Sequence, residues 1–131
     1  MISELELKAL EKILNDVYTN LNKIKFNNEL PPLPVIPVTG AEFLGSCRAT
    51  NGRPTRILIS IDKLPRGPGI LEELAAAILH EMIHAYCYIH GIPHYNPKTG
   101  EHLPGFIKAA EDHGLFYDNL LYSNFLLFDY S

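Results

Sequence analysis

The chain has 131 residues, a formal net charge of −4 and two cysteines. That length implies one domain over residues 1–131, with enough chain for a hydrophobic core and little for a second module. The charge speaks against a generally basic nucleic-acid binder, and no run of about 20 apolar residues is present to cross a membrane.

The start, MISELELK, is acidic and amphipathic rather than basic and then apolar, so a signal peptide is not expected. Cys47 and Cys87 lack a C-x-x-C spacing and read as two half-buried thiols, which suits a reducing, cytoplasmic setting. Ser3 and Glu6 have the spacing of a capping box. Leu10, Ile13, Leu14, Val17, Leu21 and Ile24 then recur every three or four residues, predicting an amphipathic helix from about residue 4 to 24. Asn27 and Asn28 turn the chain. Pro31, Pro32, Pro34 and Pro37 keep the next stretch extended while removing donors, so residues 35–39 make at best an edge strand.

EFLGSCRA at 42–49 predicts a second short strand in which Gly45 marks a bulge or a close approach. Asn51-Gly52 is a hairpin-like turn. RILISI at 56–61 is the strongest strand, with Ile57, Ile59 and Ile61 on one face. A Pro/Gly loop at 65–69 precedes a helix with Ile70, Leu74, Ala77, Ile78 and Ala85 on period. Glu72 and Glu73 stand in its first turn, and it stops near Gly91 to Pro93. A polar loop with Asn96, Pro97 and Gly100 leads to a short helix from Pro104 to about Gly114, with Phe106, Ile107 and Ala110 inward. The aromatic tail at 115–131 is expected to fold back over the core. The fold class is therefore α+β, with an N-terminal helix, a small, mostly antiparallel sheet of about three strands, and two further helices.

Within the longest apolar stretch, ILHEMIHAY at 78–86 holds His80, Glu81 and His84 as H-E-x-x-H. Residues four apart on a helix differ by about 40° around its axis, so both imidazoles can grip one ion while Glu81 reaches a water on it. Zinc is the natural candidate, with Glu81 as general base. Six histidines in the chain make a chance occurrence roughly a two per cent event, so the flanking apolar helix pattern matters to the reading.

A catalytic zinc takes three protein ligands and leaves a place for water, so one more residue is needed after His84. His90 has the spacing of the metzincin signature, but Cys87 stands where that signature needs a helix-breaking Gly. A continuous helix turns His90 about 240° away from His84. His102 precedes a predicted helix after a loop long enough to reverse direction, and needs no broken helix. Glu101, one residue earlier, would make a His, His, Glu site and stays open. Nothing local orients His94 or His113, which read as ordinary polar residues.

FNNELPPLPV, LGSCRATNGRPTRILIS, ILHEMIHAY and EHLPGF, in this order within residues 20–110, resemble the SprT-like zinc metalloprotease family, which includes the Spartan-type DNA-protein crosslink proteases. The resemblance implies a zincin-like core. It places the third histidine at His102, since EHLPGF stands where the family has G-H-G-P-E-F. Glu101 and Leu103-Pro104-Gly105 depart from that block, and no cysteine beyond Cys87 is available for the zinc ribbon of many members. The implied activity is peptide-bond hydrolysis by zinc-activated water, with His80, His84 and His102 on one Zn2+ and Glu81 as base. RILISI is the expected platform for an extended protein or peptide substrate. Tyr86, Tyr88 and Tyr95 could assist the oxyanion, although core packing is the simpler role for each.

Two other readings stay open. Arg48, Arg53 and Arg56, with Lys63 and Arg66, form a stretch poor in acids that could contact DNA and direct cleavage to DNA-bound proteins, or be a solvated face. Alternatively the chain is a zinc-containing binding or scaffold domain with latent or lost activity, or a metzincin/WLM-like protease that uses His90.

Overall fold

The computed structural model of the chain describes residues 3–64 and 67–115. Helix α1 (Glu4–Phe26) opens on the expected capping box: the Glu6 amide donates to Ser3 Oγ at 3.1 Å and the Ser3 amide to Glu6 Oε1 at 3.2 Å. It closes on Asn27 in the left-handed region, at φ 52°. Leu14, Tyr18, Asn22 and Phe26 are its buried residues. Ile13 and Ile24, which the periodicity assigns to the inner face, are 46% and 72% exposed.

Polar side chains account for that rotation. The segment after α1 is rich in proline, so it lacks amide hydrogens and cannot satisfy its backbone in a regular ladder. Helix α1 supplies the partners instead. Tyr18 donates to the Pro31 carbonyl at 2.6 Å. Asn22 pairs with both the carbonyl and the amide of Leu30, at 2.9 and 3.1 Å, and Asn15 does the same for Val35 at 2.9 Å each. The apolar stripe turns to let these three side chains face the strap.

The strap runs into β1 (Val35–Val38), followed by β2 (Gly45–Thr50) and β3 (Arg53–Ser60). Asn51 and Gly52, at φ 53° and 76°, form the tight turn between the last two. The strand order is β1-β3-β2, with β3 antiparallel to β2 and parallel to β1. The sheet is thus mixed rather than mostly antiparallel, because the proline-bearing β1 takes an edge and fills the remaining side of β3. This has a consequence for the RILISI segment: β3 is bonded on both sides and offers no free edge to a peptide. Among the described residues, the outer side of β2 pairs with no further strand. The ladder irregularity falls between Arg48 and Ala49 rather than at Gly45. Ile57 and Ile59 are fully buried, but Ile61 leaves the strand for a short 3-10 turn at Ile61–Lys63.

Helix α2 (Ile70–His90) is buried at every position from Ala76 to Ala85. A helix apolar nearly all round belongs in the middle of a fold, and α2 touches α1, α3, β2 and β3. Its two ends emerge, the first turn with Ile70 at 39% exposure beside Glu72 and Glu73 and the last with Ile89 and His90. Gly91, at φ 65°, ends it where the sequence indicates, and the Ile92 amide returns to the Cys87 carbonyl at 2.9 Å. Helix α3 (Pro104–Asp112) carries proline in its first turn and buries Phe106, Ala109 and Ala110, while Ile107 is half-buried. A Cβ on Gly105 would stand 2.6 Å from the Pro93 carbonyl oxygen, so the lack of a side chain lets α3 start hard against the exit of α2.

Cys47 and Cys87 are free and buried rather than half-buried, and burial pushes both thiols up to about 12. No helix among the described residues is long and apolar enough to cross a membrane. Residues 65–66 and the aromatic tail lie outside the described residues, and with them Arg66 and the expectation that the tail covers the core.

Asn22→Ala would leave the buried Leu30 amide and carbonyl without their side-chain partner. The expected loss is roughly 2–4 kcal/mol of stability, measurable by urea denaturation, with Asn20→Ala on the exposed side of α1 as the neutral control.

Candidate metal centre

The burial of α2 carries His80, Glu81 and His84 into the interior, each fully buried. His80 and His84 are one turn apart, with ring centroids separated by 5.1 Å. His102 reaches them from a small hairpin between α2 and α3. In that hairpin the Asn96 amide bonds to the Glu101 carbonyl at 2.8 Å, and the Leu103 amide bonds to the His94 carbonyl at 3.1 Å. Tyr95 and His102 face each other between those bonds as an antiparallel bridge. Opposed residues between two such bonds are the closely spaced kind, with side chains on the same face. The tip is closed by the Gly100 amide on the Asn96 carbonyl at 2.7 Å, with Gly100 at φ 77°.

This hairpin sets which residue joins the pair. The His102 ring lies 5.0 Å from His80 and 5.2 Å from His84, centroid to centroid. The ligand atoms of the three residues all lie within 4.8 Å of one another, close enough to hold a metal ion. Glu101 is exposed and stands outside the group. Phe106, fully buried, packs on all three imidazoles with centroid distances of 4.9, 4.3 and 4.4 Å from His80, His84 and His102. It forms an apolar floor that fixes the rings and keeps water from that side. The donor set fits a borderline ion: three imidazoles with no thiolate among them suit zinc, copper, iron or nickel rather than magnesium or calcium.

Glu81 stands beside the group. Its Oε2 is 3.9 Å from His80 Nε2, and the carboxylate lies against the backbone of β2. A Cβ built on Gly45 would come within 2.8 Å of Oε2 and 3.0 Å of Glu81 Cγ. The glycine flagged in the sequence is therefore a close approach and not a bulge: its missing side chain is the space that the Glu81 carboxylate uses.

The remaining histidines separate cleanly. His90 is the last residue of α2, half out in solvent, with Nε2 2.7 Å from Glu29 Oε2 and its ring 4.3 Å from Tyr86. It pairs with the segment that follows α1 and does not join the group. His113 stacks on Phe26 at 4.4 Å, and its Nδ1 lies 2.7 Å from the Ala109 carbonyl, a packing and capping role. His94 departs from the reading as an ordinary polar residue. It is buried, its Nδ1 lies 2.8 Å from Nδ1 of His84, and burial lowers its pKa to about 4. No local spacing signals this contact, since it depends on how the loop closes onto α2. A histidine eight residues before a candidate ligand, on the other arm of a turn, is the only trace in the sequence.

Of the three tyrosines, Tyr86 packs among Phe26, His90 and His113, on the side of α2 away from the site. Tyr95 is across the hairpin from His102, with its ring 6.5 Å from His84. Burial first, then the neighbouring Tyr95 hydroxyl, raises the Tyr88 hydroxyl above its ordinary pKa. Arg48 and Arg56 are exposed and directly opposite each other on β2 and β3, with the Arg48 guanidinium 5.5 Å from the centre of the Phe43 ring. Arg53 is exposed at the hairpin end of β3.

No family model, curated protein or solved structure matches the chain.

Ligand assignment can be checked by metal stoichiometry on the purified chain after zinc loading. One ion per chain is expected for the wild type and for His90→Ala, whose side chain contacts Glu29 and Tyr86 and none of the three histidines. His102→Ala should lose the ion or bind it at least about tenfold more weakly. Loss from His90→Ala with retention by His102→Ala would reverse the assignment.

Proposed function

We propose that this chain is a zinc-dependent metallopeptidase with a zincin-like core of the SprT-like kind, in which His80, His84 and His102 hold one Zn2+ and Glu81 is the general base. The observation that carries the reading is the position of Glu81. A carboxylate this deeply buried is costly to keep in a core for packing alone, yet it lies beside three converging imidazoles and against the bare backbone of an edge strand. Chemistry gives it a use.

Zinc held by His80, His84 and His102 would supply Lewis acidity and lower the pKa of a bound water to about 7. The residues of the chain do the rest. Glu81 takes the proton from the attacking water and hands it to the leaving amine. Phe106 keeps one side of the site dry and prevents the imidazoles from turning. An extended peptide adds to the outer side of β2 through main-chain hydrogen bonds, and this route takes it past Gly45, where the Glu81 carboxylate rests. The platform in this reading is therefore β2, the neighbour of the strand that periodicity singles out.

A second reading concerns where the substrate is found. Two arginines directly opposite on neighbouring strands repel one another, and a phosphate backbone would relieve that at Arg48 and Arg56. Cleavage of DNA-bound proteins is the version this favours. DNA binding that falls steeply with salt and weakens in Arg48→Ala would support it, whereas salt-independent or absent binding would count against it.

Glu81→Gln separates an enzyme from a zinc-holding scaffold. Zinc content should be unchanged, while hydrolysis of an unstructured protein substrate falls by at least about 100-fold. Full turnover in the Gln variant would reject Glu81 as the base.

A further inference from the structure

We infer that His94 is a positioning residue for the metal centre: its Nδ1 accepts a hydrogen bond from Nδ1 of His84 and so fixes the tautomer and ring angle in which His84 presents Nε2 to an ion. This rests on the reading of His80, His84 and His102 as a metal site. The two Nδ1 atoms are 2.8 Å apart and buried, a hydrogen-bond distance that requires one proton between them. Only two placements exist for neutral rings. With the proton on His84, its Nε2 keeps a lone pair for a metal, and His94 carries its own proton on Nε2. With the proton on His94, the His84 proton must sit on Nε2, where it blocks ligation. Ligation by His84 thus selects the first arrangement.

His94 is also held where such a role needs rigidity. Its ring is flanked by Tyr88 and Tyr95, with centroids 4.5 and 4.9 Å away. Its carbonyl takes the amide of Leu103, the residue after His102. One residue therefore ties the metal helix, through its side chain, to the hairpin that delivers the third ligand, through its backbone. Ligating imidazoles generally donate their second N–H to a carboxylate, carbonyl or water. Here a neutral imidazole takes that place, which orients the ligand without adding negative charge to the site.

The test uses the full chain, free and loaded with zinc, with ring nitrogens labelled. The nitrogen spectrum should show the proton on Nδ1 of His84 and on Nε2 of His94, with a coupling across the Nδ1 pair. Zinc affinity by chelator competition should fall about 10–100-fold in His94→Leu and recover for the most part in His94→Asn, whose Oδ1 can accept the same hydrogen bond. A folded His94→Leu chain with wild-type affinity, or a proton on Nδ1 of His94 in the zinc-loaded wild type, would overturn the inference while leaving the metal centre standing. Failure of the wild type to bind zinc at all would overturn both. If His94→Leu does not fold, the proton positions in the wild type and the affinity of His94→Asn decide the matter.

Discussion

Two imidazoles and a carboxylate lie fully buried on consecutive turns of the most apolar helix among the described residues, and most of the architecture follows from accommodating them. Polar and ionisable groups are costly in a dry interior unless their surroundings answer them. The answer comes from three directions. The hairpin at 94–103 brings His102 and His94, β2 offers a strand backbone bare of a side chain at Gly45, and α3 brings Phe106 to cover the rings. Each contribution arrives from a different element, so the centre depends on the tertiary fold even though its core is a five-residue motif.

The rest of the molecule holds those elements in register. Because the chain after α1 is interrupted by prolines, its backbone is satisfied by Asn15, Tyr18 and Asn22 instead of by a ladder. That strap seats β1, β1 completes the sheet by pairing with β3, and β3 in turn holds β2 beside Glu81. At the other end, Gly91 stops α2 and Gly105 lets α3 close on Ile92 and Pro93, which keeps the hairpin short and His102 near its partners. A chain of ordinary packing and turn constraints thus connects the first helix to the placement of one imidazole.

Local signals were legible where a single residue or a short spacing carries the physics. The Ser3/Glu6 box, the Asn51-Gly52 turn, Gly91 as a stop and Pro104 as a start each act within a few residues of themselves. Periodicity was less dependable wherever polar side chains competed with the apolar stripe. On α1 the demand of the proline strap outweighs Ile13 and Ile24, and after β3 the backbone turns before Ile61 can take its place in the strand. The mixed sheet was hidden for a different reason, because pairing between β1 and β3 is settled by which edges remain open and not by either strand alone.

The sequence by itself determined that His80 and His84 share a helical face with Glu81 beside them, because a helix repeats every 3.6 residues whatever surrounds it. It left His90 open as a third ligand, and the structure, in which α2 runs unbroken to His90, turns that residue toward Glu29 instead. Only the tertiary structure decided the other contacts. His102 and not Glu101 enters the group because the Tyr95 bridge sets the hairpin register, β3 is the central strand so that β2 and not β3 has an unpaired side among the described residues, and His94 meets His84. Those outcomes depend on pairings between segments distant in the chain, and no local spacing encodes the geometry in which they meet.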